Sequence, residues 1–346
     1  MQDLTKFSAA GGCSCKLPAD QLDDLLNGTN ALALLADNES ADDAAFSELA
    51  NGDVLVSSVD FQNPILDDPY LAGMIGGLNA VSDIFACGVQ PQWAEVILAL
   101  PQIDRETKVA IGREMMRGLM EACSGVGCQI VGGHTIEQSA PLIGLTVRGT
   151  ACPEQIKRKS GARPGDVVLL TKPVGNGIAV AARQVGFLID TDWKVAQDML
   201  LTANSVGKDF GAIAAVSSLT DITGFGLIGH SLEVAISSNV MIELDVDDVP
   251  ALPGTRRAAE MGFVPQLAAS TWEFSEAQVS GKENLSDGEK MLLTDPQTNG
   301  GLLATVAKDA VQQVIEVASR NGVEAVAIGE VRERGAYYCN VRKGTS

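Results

Sequence analysis

The stretch Thr220-Asp221-Ile222-Thr223-Gly224-Phe225-Gly226-Leu227-Ile228-Gly229 decides which kind of α/β protein this chain is. Its last six residues match the Gly-x-Gly-x-x-Gly fingerprint of dinucleotide-binding folds. Glu243 and Asp245 follow at about the spacing of a ribose-binding acid. That fingerprint needs an apolar strand running directly into its first glycine. Here Thr220-Asp221-Ile222-Thr223 intervenes, and Asp221 would confront a pyrophosphate as a like charge. The match also falls far into the chain rather than at the start of a domain. It therefore reads as a glycine-rich anion loop with Asp221 holding a metal. No Walker A motif offers a second nucleotide site.

Around this stretch, apolar periodicity predicts a strand over 167–170, a helix around 194–216 and a strand over 241–246. A polar loop is expected over 273–287, then a strand at 302–306, a helix at 308–321, and strands at 323–328 and 336–341. The turn residues Gly161-Ala162-Arg163-Pro164-Gly165-Asp166 separate this half from an earlier one. The earlier half carries a possible helix at 18–26, a strand at 54–59 ending in Asp60, and a helix over 70–87. A strand over 93–100, a helix capped by Asp104 and strands at 129–131 and 142–147 complete it. The expected architecture is α/β (α+β) in two domains joined near 151–165. The division is a glycine-rich N-terminal segment at 1–38, a first domain at 39–155 and a second at 156–346.

A chain of 346 residues suits two such domains. Lysine and arginine number 25 against 44 acidic residues, giving a net charge of −19 that repels phosphate backbones and argues against nucleic-acid binding. No long uncharged apolar run predicts a membrane span. The residues Met1-Gln2-Asp3-Leu4 lack a signal-like pattern, so a cytoplasmic location is expected. Seven cysteines, odd in number and without a Cys-x-x-Cys pair, suit a reducing compartment rather than a disulfide or zinc scaffold.

Three groups of residues carry chemistry. Gly11-Gly12-Cys13-Ser14-Cys15-Lys16 places two thiols and an amine on flexible backbone. A neighbouring ammonium favours the thiolate of Cys13 and also pairs with phosphate oxygens. Spacing alone leaves this open against a frayed terminus. Asp42-Asp43, Asp60, Asp83 and Asp221 form the second group. Asn79 and Asp83 share a helix face, and Asp83 and Asp221 sit in apolar surroundings where an unpaired charge is costly. Convergent carboxylates of this kind are what Mg²⁺ takes alongside substrate phosphates. The third group, Gly132-Gly133-His134-Thr135 and Asp295-Pro296-Gln297-Thr298-Asn299-Gly300-Gly301, reads as tight turns when each is taken alone. Two histidines, His134 and His230, are too few for a histidine-rich metal site.

In combination, these residues resemble the selenide, water dikinase (selenophosphate synthetase) family, of the superfamily that includes aminoimidazole ribonucleotide synthetase. The resemblance spans nearly the whole chain. The segments 42–45, 60–61, 79–86, 132–134, 170–173, 220–227 and 294–298 match the superfamily, and Cys13-Ser14-Cys15-Lys16 makes the match specific. It implies ATP-dependent formation of selenophosphate from hydrogen selenide and water, releasing AMP and phosphate. It implies a homodimer whose N-terminal sheets pair across the interface, and a C-terminal α/β sandwich. By the same resemblance Cys13 and Lys16 are catalytic, with Lys16 also on phosphate, and Asp43, Asp83 and Asp221 are Mg²⁺ ligands. Ser40, Ala41, Asp42, Asp60, Asp83, Gly133, His134 and Thr135 contact ATP, with the 133–135 loop supplied by the dimer mate. Ala41, Gln62, Met74 and Cys87 depart from the family pattern, where arginine, an aromatic, a basic residue and methionine are usual. The rival expectations are another ATP-dependent kinase or synthetase of the superfamily, which leaves the Cys-x-Cys-Lys unexplained, and a non-catalytic selenium or thiol carrier.

Overall fold

Residues 3–8, 10–17, 21, 25 and 42–344 are described by the computed structural model. The expected helix at 18–26 lies almost wholly outside them. Two sheets organise the chain. The first has five strands in the order β1-β2-β5-β3-β4: β1 Ala45–Glu48, β2 Val54–Gln62, β3 Trp93–Pro101, β4 Gln129–Gln138 and β5 Leu142–Ala151. Helices α1 (Pro69–Ala86) and α2 (Arg105–Gly125) cover one face.

Helix α1 starts where Pro69 fixes φ at the first helical position and the Asp68 carboxylate accepts from Leu71 N–H at 3.0 Å. Asp104 caps α2 in the same way through Thr107 N–H. The two helices touch backbone to backbone. A Cβ at Gly73 would stand 2.0 Å from the Met115 carbonyl, and one at Gly118 would stand 1.9 Å from that of Tyr70. This closeness lets α1 sink into the interior, where Ile75, Ile84 and Phe85 are fully buried.

The second sheet has seven strands in the order β7-β10-β6-β11-β8-β12-β9. These are β6 Val167–Leu170, β7 Val216–Asp221, β8 Val240–Asp245, β9 Val279–Ser280, β10 Leu302–Val306, β11 Val326–Glu333 and β12 Cys339–Arg342. Both of its faces are buried. Val168, Leu170 and Leu303 point into one core, and Leu169, Leu302 and Ala304 into another. The first core holds helices α3 (Asn176–Gln184), α4 (Asp190–Leu200), α6 (Gly226–Ser238), α7 (Thr255–Glu260), α8 (Gln266–Ser275) and α9 (Asp287–Leu293). The second holds α5 (Val206–Gly211) and α10 (Val311–Arg320).

The structure corrects several element expectations. The helix expected at 194–216 is two helices and a strand: α4 ends at Leu200, α5 at Gly211, and Val216 begins β7. Thr202 and Asn204 interrupt it. The Asn204 amide donates to Gly300 O at 2.8 Å, a long-range bond that a continuous helix would deny it. Asp60 lies within β2 rather than at its end, and β4 runs seven residues beyond its expected stop at Val131. The polar loop expected at 273–287 contains the end of α8, short 3₁₀ turns and β9. The Gly-x-Gly-x-x-Gly stretch does join a strand to a helix. However, β7 is an edge strand paired only with antiparallel β10, and β8 lies four strands away, so no dinucleotide-binding βαβ unit forms.

Candidate active site

The N-terminal segment reaches the site because Leu4 is buried in the first domain's core and Gly12 turns the chain at φ +58°. A Cβ on Gly12 would lie 2.1 Å from Thr298 Oγ1, so no larger residue fits there. Cys13 N–H donates to that same Oγ1 at 3.0 Å, and Cys13 is fully buried with Sγ 3.6 Å from Asn79 Oδ1. One 3₁₀ turn later, Lys16 Nζ lies 3.1 Å from Asp60 Oδ2. Asn79, midway along α1, donates to the same oxygen at 2.8 Å, and its own Oδ1 accepts from Asn299 N–H at 2.7 Å. Asn79 thus ties the thiol, the lysine's carboxylate and the 294–301 loop into one bonded chain.

Burial pushes the Cys13 thiol up to about 12, against the pull of the Lys16 charge. Desolvation of the buried thiol works against the thiolate that the neighbouring ammonium favours. Burial also works against the Lys16 charge, but Cys13, Asp60 and Asp83 together hold its amine well above the ordinary lysine value. Lys16 is a permanent cation.

Next to this chain stand three carboxylates, from the residues before β1 (Asp43), from α1 (Asp83) and from β7 (Asp221). Each has one oxygen fixed by a hydroxyl: Asp83 Oδ2 by Ser58 at 2.5 Å, Asp221 Oδ2 by Ser82 at 2.5 Å, and Asp43 Oδ1 by Thr220 at 3.0 Å. The second oxygen of each has no partner among the described residues. Burial, then Asp221 and Asp60, hold the Asp83 carboxyl well above the usual carboxylate range. Burial raises Asp43 to about 6, Lys159 opposing and Asp221 adding to the rise. The excess of negative charge is met from one side by a buried chain: Lys159 Nζ lies 2.8 Å from Asp43 and 2.7 Å from Glu233, whose carboxylate meets His230 Nδ1 at 3.0 Å.

Free hard oxygens on anchored carboxylates, short of positive charge, fit Mg²⁺. Among the described residues, no three histidine, cysteine or acidic side chains form a ready-made metal cage. These oxygens therefore suit a cation that arrives with further oxygen ligands.

Other expected site residues lie elsewhere. Asp42 faces the segment between the sheets, accepting from Lys159 N–H at 2.8 Å and pairing with Arg158 at 3.0 Å. Gly133, His134 and Thr135 are not in a turn: they sit within β4, exposed at the sheet edge. Pairing with β3 through register Gly133↔Val96 to Thr135↔Leu98 extends the strand through the glycines. Ser40 and Ala41 lie outside the described residues. The 294–301 loop is not a surface turn but wholly buried, and it bonds to Asn79 and Cys13. Sequence reasoning missed Ser58, Ser82, Lys159, Glu233 and His230 as parts of the site. For Ser58, Ser82, Glu233 and His230 the one sequence signal is a polar residue inside an apolar element, which many buried serines share; Lys159 sits in a basic, polar stretch and gives none.

Among proteins of known family, residues 41–151 match the N-terminal domain and residues 163–342 the C-terminal domain of the AIR synthase related proteins. The chain is 38% identical to the selenide, water dikinase of Pseudomonas straminea over 339 residues, covering 96% of this chain and 94% of that one. The selenide, water dikinase of Pseudomonas putida is 38% identical over 342 residues, 98% of each chain. Among solved structures, thiamine monophosphate kinase from Aquifex aeolicus superposes with a TM-score of 0.67 at 19% identity. It covers 95% of this chain and all of that one (100%). Hydrogenase maturation protein HypE in complex with ATP superposes with a TM-score of 0.66 at 17% identity, covering 99% and 95%. The chain belongs to the selenide, water dikinase family and has the two-domain AIR synthase-like fold.

Proposed function

We propose that this protein makes selenophosphate from ATP, hydrogen selenide and water, releasing AMP and phosphate. The observation that carries this reading is the bonded chain Cys13–Asn79–Asp60–Lys16 set directly beside three hydroxyl-anchored carboxylates. Phosphoryl transfer needs positioning and charge neutralisation more than covalent chemistry. Lys16 supplies a fixed positive charge to the oxygens of the phosphoryl group in flight. Asp60 and Asn79 keep its amine from swinging away.

Mg²⁺, when bound, supplies charge neutralisation for the polyphosphate, and Asp43, Asp83 and Asp221 are the residues that would hold it. Cys13, whose thiol burial pushes up, is suited to donate a proton at Sγ. The buried 294–301 loop and the N-terminal turn exclude water from Sγ. Asp42, Asp60, Asp83 and residues 40–41 are assigned to ATP on the one subunit. Gly133, His134 and Thr135 are assigned to it from a second copy. The open face of the five-stranded sheet supports that homodimer: Val59, Phe61, Trp93, Val131 and Ile136 are all exposed on the sheet. The division at 1–38, 39–155 and 156–346 and a cytoplasmic location belong to the same reading. No described helix is long and apolar enough to cross a membrane.

The test is anaerobic incubation with ATP, Mg²⁺ and selenide, followed by phosphorus NMR, with a no-selenide control. Selenophosphate with matching AMP is expected. Intact ATP in a folded, nucleotide-binding sample would point to a carrier, and ADP without selenophosphate to another acceptor.

A further inference from the structure

Lys16 faces two unlike environments. On one side are the carboxylates of Asp60 and Asp83, with Asp221 and Asp43 beyond. On the other is a chamber of about 560 Å³ bounded by the N-terminal segment, α3 and the start of α8. Among the described residues, Lys16 is the sole charged side chain lining it. The polar part of the wall is neutral, notably the hydroxyls of Ser14, Ser270 and Thr298 and the amides of Gln184 and Gln266. The side chains of Ser14, Gln184, Gln266 and Ser270 make no hydrogen bond among the described residues, so they are available to a solute. The start of α3 is not what would attract one: Gln297 Oε1 takes Gly175 and Asn176 N–H, and Asp295 Oδ2 takes Gly177 N–H.

We infer that the selenium reactant reaches Lys16 through this chamber as a monoanion, while the polyphosphate meets Lys16 from the carboxylate side. The inference rests on the selenophosphate reading and adds to it a separate route for the second substrate. Charge decides it. The chain carries −19 overall, and an anion approaching Lys16 past Asp60 and Asp83 meets like charge at short range. Among the described residues the chamber wall carries no carboxylate and offers only neutral dipoles before the ammonium. Its volume admits a small anion together with part of its hydration shell, since a water occupies about 30 Å³.

The experiment compares Gln184→Glu, Gln184→Lys and Ala181→Phe with the unaltered enzyme under anaerobic conditions, using hydroselenide as the probe. KM for hydroselenide and KM for ATP are measured at low and high salt. At low salt, Gln184→Glu is expected to raise the hydroselenide KM about threefold and Gln184→Lys to lower it about as much, the two converging in high salt. Ala181→Phe, which narrows the chamber without changing charge, raises the hydroselenide KM regardless of salt. The ATP KM stays put in all three. A shift in ATP KM with hydroselenide unmoved would overturn the inference and give the chamber to the nucleotide. No shift in either, in variants that melt like the parent, would overturn it in favour of a solvent-filled space. If the unaltered enzyme makes no selenophosphate, the functional reading itself fails, before any variant is compared.

Discussion

The two ends of the active centre are built on opposite principles. At the thiol end the side chains bond mainly to one another: Asn79 uses both ends of its amide, Asp60 Oδ2 takes Lys16 and Asn79, and Cys13 meets Thr298 and Asn79. At the acid end, Asp43, Asp83 and Asp221 have one anchored oxygen each, and negative charge outweighs positive despite Lys159. The first end is tied together without a ligand. The second is held in a state that a cation would relieve. Preorganisation and crowded charge thus stand side by side, with Asn79 and Asp83 one turn apart on the same face of α1.

Removing Lys16 is the severest way to break this contrast, because it takes the cation shared by both ends. Lys16→Met is expected to lower selenide-dependent turnover by about 10²–10³-fold. Full turnover in the variant would mean that the ion pair with Asp60 serves structure alone. The state of the thiol gives the next largest effect. With Cys13 pushed up to about 12, iodoacetamide at pH 8 should alkylate Cys13 at least about a hundredfold more slowly than exposed Cys152, followed by peptide mass spectrometry. Equal rates would show that the N-terminal turn opens readily in solution.

Paired neutral substitutions sharpen the contrast at smaller amplitude. Asp83→Asn relieves like charge and should raise the metal-free melting temperature by a few degrees, while reducing the stabilisation given by added Mg²⁺ or Mn²⁺. Asp60→Asn removes the partner of Lys16 and should lower the melting temperature by a similar amount. Shifts of the same sign would erase the distinction between the two ends.

A pH-dependent effect completes the series. Asp295 is fully buried, with burial pushing its carboxyl up to about 8 and Oδ1 left without a partner. A carboxyl raised on folding gives stability that is complete below pH 4 and is lost as pH rises through the native value. Asp295→Asn should therefore flatten the melting-temperature profile between about pH 4 and 8 and stabilise the protein at the upper end. An unchanged profile would show that Asp295 is ionised in the folded state.

Much of the frame was legible from the residues. The helices near 70–87 and 105–123 and the strands at 93–100, 167–170 and 302–306 appear within a residue or two, because amphipathic or continuous apolar patterns and an aspartate cap are local signals. The segment at 194–216 was not legible as two helices and a strand, since Asn204 breaks it through a bond to Gly300, almost a hundred positions away. Gly132-Gly133 looked like a turn because glycine weakens a strand locally; the ladder with β3 carries the strand through.

The sequence by itself determined the family, through Cys13-Ser14-Cys15-Lys16 and the spaced acids. It also determined that Asp83 and Asp221 could not be idle solvated charges, because their neighbours are apolar. Only the tertiary structure decided that Cys13 is held as a thiol, that Asn79 links it to Lys16, and that the loop at 294–301 is interior. These depend on desolvation and on bonds between residues 19 to 285 positions apart. Electrostatic energy in a protein is set by distance and burial in space, and neither is written in the order of the residues.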